Sequence, residues 1–215
     1  MKNNSDFKLL ERNKLLIKPH EIIIHVKKKE RLSGLGMTPY TFSYSFKGDM
    51  INNPIQPRKL IHLAKDMAKF IDKKGGQILI ALDRGGTALG LAVSMATKLP
   101  VYIAFSYFTK PPQNWISWEE KGFGKSLAIP PLSKNTHVIL IDDEINTGLT
   151  YVNAIKTLGE NSIYVDQIVV VAEVARKQMG RKIIKNKFRD IKIDSLYQIP
   201  EPKFYDKLDD YVFDT

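Results

Sequence analysis

HVILIDDEINTGLTY, residues 137–151, decides how this chain is read. Residues 138–141 are apolar and mostly β-branched, the character of a strand buried on both faces. Two carboxylates follow at once, Asp142 and Asp143. Small polar residues come next, Asn146, Thr147, Gly148 and Thr150, ahead of an amphipathic stretch over 151–158. The order is strand, acid pair, loop, helix. A loop of small residues at a helix start presents free backbone N–H groups at the positive end of the helix dipole, which suits a phosphate. Carboxylates repel a phosphate, so their task must differ. They can accept hydrogen bonds from sugar hydroxyls or help to hold a divalent cation. A sugar phosphate with vicinal hydroxyls satisfies both halves.

A second unit of the same kind lies upstream. Residues 57–74 carry the apolar spacing of a helix, with Pro57 in its first turn and Gly75-Gly76 at its end. QILIAL, residues 77–82, is a buried strand that runs into Asp83, Arg84, Gly85 and Gly86 and then a small-residue helix over 87–98. The glycines allow close backbone approach, and Arg84 offers a forked donor for phosphate oxygens. Further strands are expected at 100–105, 166–174 and 191–196, with a basic helix or excursion over 176–189 between the last two. Strands alternating with helices imply an α/β fold, a doubly wound and mostly parallel sheet with its sites at the strand C-termini. Toward the start, LLIKPHEIIIHV at 15–26 holds two short apolar runs, and YTFSYSF at 40–46 alternates as a half-buried strand does.

Composition bounds the rest. The chain has 215 residues, 43% of them hydrophobic, enough for one sizeable domain. With no cysteine, disulfides and thiolate metal sites are excluded. The first residues, MKNNSDFKLLERNK, lack the apolar core of a secretory signal, and no apolar run approaches a membrane span, so a soluble cytoplasmic chain is expected. The formal charge is +10, carried by basic residues spread along the chain rather than blocked. That spread speaks for a solvated surface and against a nucleic-acid footprint, without removing the latter as an alternative.

The arrangement resembles the signature of the type I phosphoribosyltransferases: four apolar residues, two acids, two variable residues and a Thr/Gly-rich loop. By that resemblance Asp142 and Asp143 grip the 2- and 3-hydroxyls of phosphoribosyl diphosphate (PRPP), and Asn146, Thr147, Gly148, Leu149 and Thr150 bind its 5-phosphate. Leu149 departs from the family, which usually has Gly or another small or polar residue there. A loop that binds through backbone N–H groups tolerates this. Asp83, Arg84, Gly85 and Gly86 are similar to the family's pyrophosphate loop, in wording close to the adenine enzymes. Residues 106–136, polar and broken by Pro111, Pro112, Pro130 and Pro131, correspond to the mobile hood over the site. Within them Glu120 is similar to a loop Glu of the adenine enzymes.

The resemblance implies an Mg²⁺-dependent transferase acting as a homodimer on PRPP and a nucleobase. Asp142 and Asp143 hold the ion largely through PRPP, and Glu120, Arg84 and Asp143 carry the catalysis. Asn146 stands where the hypoxanthine-guanine enzymes have an Asp, which turns the expectation toward an adenine-like purine. Xanthine, guanine and orotate acceptors stay open. Phe46, Tyr197 and Ile199 are candidates for the base pocket. The expected organisation is an N-terminal segment over 1–50 and a core over 51–196 with the flexible loop 106–136. A tail over 197–215 follows, and segment and tail are candidate parts of the hood and the base pocket. The competing reading is a regulator that senses PRPP and binds nucleic acid. Its basic charge favours it, and the lack of a DNA-binding segment in 1–50 disfavours it.

Overall fold

The computed structural model describes residues 22–28, 40–46, 55–72, 77–120, 124–174 and 179–199. Most of the expected segment 1–50, Lys121 and residues 200–215 lie outside the described residues, as do the side chains of Phe46 and Ile199. β1 (Ile22–Lys28) and β2 (Tyr40–Phe46) pair antiparallel as a two-stranded sheet. Helix α1 (Pro57–Ala68) opens with a proline whose missing N–H needs no partner in a first turn. It ends earlier than its apolar spacing predicts, although Ile71 beyond it still packs in the core.

The main sheet has seven strands. β3 (Gln77–Leu82), β4 (Val101–Tyr107), β7 (His137–Ile145), β8 (Tyr164–Val174) and β9 (Lys192–Ile199) run parallel, and α2 (Asp83–Thr97), α3 (Leu149–Glu160) and α4 (Met179–Lys187) fill three of the crossovers. The spatial order β4-β3-β7-β8-β9 reverses the chain's course beside β3. β3 hands on to β4 at one side, whereas β7 lies at its other side and hands on to β8. The crevice between β3 and β7 is therefore the topological switch point, where ligands bind in open parallel sheets.

Side-chain alternation along these strands builds a core on each face. Leu79, Ile139, Ile141, Val169 and Val171 face α1 and α2, and meet Leu63, Met67, Leu89 and Val93. Ile80, Leu82, Val138, Leu140, Ile168 and Val170 face α3 and α4, and meet Tyr151, Ile155, Leu158 and Ile184. Burying a side chain of this size stabilises by roughly 1.5–3 kcal/mol. The unbroken apolar runs of β3, β7 and β8 therefore specify strands covered on both sides. At the N-terminal strand ends Asp166 accepts from Gln77 Nε2 at 2.8 Å and pairs with His137 Nδ1 at 2.7 Å, tying β3, β7 and β8 together away from the ligand end. Among the described residues no helix is long and apolar enough to cross a membrane.

Residues 106–136 depart from the long loop expected of them. β5 (Ile116–Glu120) and β6 (Lys125–Ile129) form an antiparallel hairpin, and β6 adds antiparallel to β4, so the hairpin extends the sheet at its edge. Ile116, Trp118, Leu127 and Ile129 reach the α3 core, and that burial is why the segment is sheet. Tyr197 also departs from expectation. It lies within β9, only 4% exposed, in the core that includes Leu63, Met67 and Leu196. Its aromatic ring packs in that core.

Candidate active site

β7 runs past its apolar stretch to Ile145, so Asp142, Asp143 and Glu144 are strand residues at the C-terminal edge of the sheet. Successive side chains point to opposite faces. Asp142 turns toward α3, where the Tyr151 hydroxyl donates to its Oδ2 at 3.1 Å and to the Glu144 carbonyl at 2.8 Å. The Asp143 N–H donates to Asp142 Oδ1 at 2.9 Å. Asp143 turns toward α2 and lies against Gly85, where an added Cβ would stand 2.5 Å from its carboxyl carbon. A Cβ on Gly86 would stand 2.6 Å from the Ile141 carbonyl oxygen. The two loops singled out in the sequence thus meet across the switch point, with the acid pair between them.

Both loops are open to an anion. α2 begins at Asp83 itself, so Asp83, Arg84, Gly85 and Gly86 form its first turn rather than a loop ahead of it. Neither α2 nor α3 carries a side-chain cap on its first turn. The N–H groups that a Ser or Asp would ordinarily satisfy remain available. Gly148 sets the start of α3 at φ 77°, in the left-handed region that glycine adopts freely. Thr147 Oγ1 lies 3.5 Å from the Leu149 N–H, and Arg84 is exposed beside the α2 turn.

Glu120 sits where strand β5 ends, 8% exposed. Thr150 Oγ1 donates to its Oε1 at 2.6 Å, and Lys125 Nζ lies 3.3 Å from its Oε2. Lys125 also pairs with Asp83, which accepts from Ser106 Oγ as well. The hairpin tip therefore touches both anion loops. Asp83 is held at φ 50°, a left-handed conformation costing an L-residue roughly 1–2 kcal/mol, and these bonds from its neighbours hold it there. Lys125, Ser106 and Tyr151 are site residues that sequence reasoning missed.

Charge is distributed unevenly. Burial pushes the Asp142 carboxyl well above its ordinary range, and the neighbouring charge of Asp143 pushes it further. Glu144 is raised by the same causes, burial first. Burial, then Asp142 and Asp143, also raise the Tyr151 hydroxyl, so it stays a donor. Asp83 is the opposite case. Burial works to raise it, but hydrogen bonds from Lys125 and Ser106 and the Lys125 charge prevail, leaving it below the usual carboxylate range. Among the described residues no three carboxylate or imidazole groups converge to hold an ion unaided.

No protein-family model matches the chain. A hypoxanthine/guanine phosphoribosyltransferase of Methanocaldococcus jannaschii is 27% identical over 146 residues, 67% of this chain and 78% of that protein. Among solved structures, the adenine phosphoribosyltransferase of Giardia lamblia complexed with 9-deazaadenine superposes with a TM-score of 0.60 at 16% identity, covering 83% of this chain and 94% of that one. An adenine phosphoribosyltransferase of Trypanosoma brucei, solved with AMP, pyrophosphate and ribose-5-phosphate, gives 0.57 at 16% identity over 77% of this chain and 74% of its own. In sequence and in fold the chain thus resembles the type I phosphoribosyltransferases. The sequence relatives carry the name hypoxanthine/guanine phosphoribosyltransferase, whereas the structural neighbours include adenine phosphoribosyltransferases and a UMP synthase of Leishmania donovani.

Proposed function

We propose that this protein is a phosphoribosyltransferase that joins the ribosyl 5-phosphate of PRPP to a nitrogen of a purine, releasing pyrophosphate. The observation that carries this reading is the contact of Asp143 with Gly85, which brings the acid pair between two uncapped helix starts. One molecule with hydroxyls flanked by a phosphate and a diphosphate fits that arrangement. Its 5-phosphate takes the backbone N–H groups of Gly148, Leu149 and Thr150. Its diphosphate takes those of Gly85 and Gly86, with Arg84 as forked donor. Asp142 and Asp143 accept from the ribose hydroxyls. Anchoring both ends holds C1 in place while its bond to pyrophosphate breaks and the base nitrogen closes on it. The carboxylates also favour the positive charge that develops on the ribose ring.

Adjacent carboxylates are the donors a hard divalent cation prefers, and two are too few to cage one alone, which fits an Mg²⁺ held at Asp142 and Asp143 largely through PRPP. Such an ion supplies charge neutralisation of the leaving pyrophosphate when bound. Glu120 is proposed to leave Thr150 and meet the base.

The acceptor is proposed as an adenine-type purine, because Asn146 supplies no titratable acid. The name of the Methanocaldococcus relative favours a 6-oxopurine as the second reading. Pyrophosphate release from PRPP and Mg²⁺, measured against adenine, hypoxanthine, guanine, xanthine, uracil and orotate, separates these. Release with adenine is expected. Release with hypoxanthine or guanine instead keeps the transferase and overturns the acceptor. Silence across the panel with PRPP still bound overturns catalysis in favour of a PRPP-sensing regulator.

A further inference from the structure

Behind the phosphate loop lies an ion pair, its carboxylate fully buried and its guanidinium partly exposed, that the proposed chemistry does not use. Glu173, fully buried at the end of β8, pairs in register with Ile145, the last residue of β7. Arg181, in the first turn of α4, grips it. Nε donates to its two oxygens at 2.9 and 3.1 Å, and a terminal guanidinium nitrogen donates to Oε2 at 2.6 Å. The other terminal nitrogen donates to the Ile193 carbonyl of β9 at 2.7 Å, and Ser195 Oγ donates to Glu173 Oε2 at 3.2 Å. A guanidinium bound through several nitrogens fixes direction as well as distance.

The residue before Arg181 touches the loop. A Cβ on Gly180 would stand 2.5 Å from the Asn146 carbonyl oxygen and 2.6 Å from Ile145 Cγ2. One on Gly148 would stand 2.5 Å from the Gly180 carbonyl oxygen. At Gly148 backbone meets backbone alone, and at Gly180 the Asn146 backbone is met together with the Ile145 side chain. Whatever fixes α4 therefore fixes the path of residues 146–148.

We infer that Arg181, acting through Glu173, is a positioning residue for the 5-phosphate. It pins α4 so that Gly180 backs Asn146 to Gly148 and keeps the loop's N–H groups aimed. This rests on the reading of that loop as the phosphate site. Without the guanidinium α4 shifts, and the loss falls on the 5-phosphate while the pyrophosphate turn, on the opposite side of β7, is spared.

Arg181→Lys keeps the charge without the fork. Glu173→Gln combined with Arg181→Met removes both charges, so no buried carboxylate is left unpaired. Calorimetric titration of ribose 5-phosphate, and separately of pyrophosphate with Mg²⁺, is compared among the wild type and both variants, with folding checked by circular dichroism. Ribose 5-phosphate affinity is expected to fall about tenfold or more, with pyrophosphate affinity held within about twofold. In turnover the PRPP KM should rise and kcat hold. Unchanged ribose 5-phosphate affinity in either folded variant overturns the inference. Equal losses for both ligands overturn it too, since they mark general loosening. A wild type that binds pyrophosphate but no ribose 5-phosphate overturns the loop assignment itself.

Discussion

Burial and the Asp143 charge both oppose ionisation of Asp142 and raise its carboxyl well above the ordinary range. The folded state then binds more protons than the unfolded chain above the ordinary carboxylate range, so stability contributed here falls as pH rises from about 4. Asp142→Asn removes that liability and keeps an acceptor for Tyr151. The variant should melt a few degrees above wild type at pH 7 and lose that advantage as pH falls toward 4, by calorimetric melting, while PRPP binding is lost. A variant that melts lower at pH 7 would contradict the buried-acid account. Gly85→Ala tests the neighbouring contact. Its Cβ must displace the Asp143 carboxyl, so PRPP affinity should drop about tenfold or more in a folded protein. These acids and glycines were legible in the sequence because they sit in contiguous motifs whose chemistry is local. Tyr151, Ser106, Lys125 and Arg181 were not. Each acts through a partner that only the folded chain brings near, and nothing in a lone Lys or Arg tells a surface charge from a site.

At the scale of elements, the β5–β6 hairpin joins the candidate site to the core. Its Trp118, 3% exposed, anchors one end in the α3 core, and Glu120 and Lys125 place the other end on the two anion loops. A phosphate in the α3 loop would meet the Glu120 carboxylate. Like charges roughly 5 Å apart repel by about 3 kcal/mol at an effective dielectric constant of about 20. Glu120→Gln keeps the shape and the bond from Thr150 without the charge. Steady-state kinetics should therefore give a lower PRPP KM together with a lower kcat. An unchanged kcat would argue against any part for Glu120 in turnover. The hairpin escaped the sequence reading for a definable reason. Each strand has five residues, prolines bracket the pair, and the partner that makes β6 a strand is β4, far back in the chain. The parallel strands, by contrast, announce themselves through unbroken apolar runs covered on both faces.

The whole molecule is a two-faced sheet whose ligand end and anchoring end are opposite. Among the described residues some large apolar side chains stand exposed. Leu91 and Met95, one helical turn apart on α2, are 47% and 81% exposed, and Phe105 on the α2 face of β4 is 50% exposed. A second copy of the chain would remove such a surface from water, in keeping with the homodimer expected from the resemblance. Sedimentation equilibrium should give a dimer, and Met95→Glu should move the equilibrium toward monomer with the far-ultraviolet spectrum unchanged. A monomeric wild type at micromolar concentration would remove the dimer from the account.

The interlocked glycines bear on how this sequence can drift. A side chain at Gly148 would meet the Gly180 backbone and one at Gly180 would meet Asn146 and Ile145, so neither position can acquire one while those neighbours stay where they are. Neutral change in the basic helix should collect at its outward positions, such as Lys182, Lys185 and Lys187, and halt at residue 180. A lineage that lost that glycine would have to re-lay the phosphate loop in the same step.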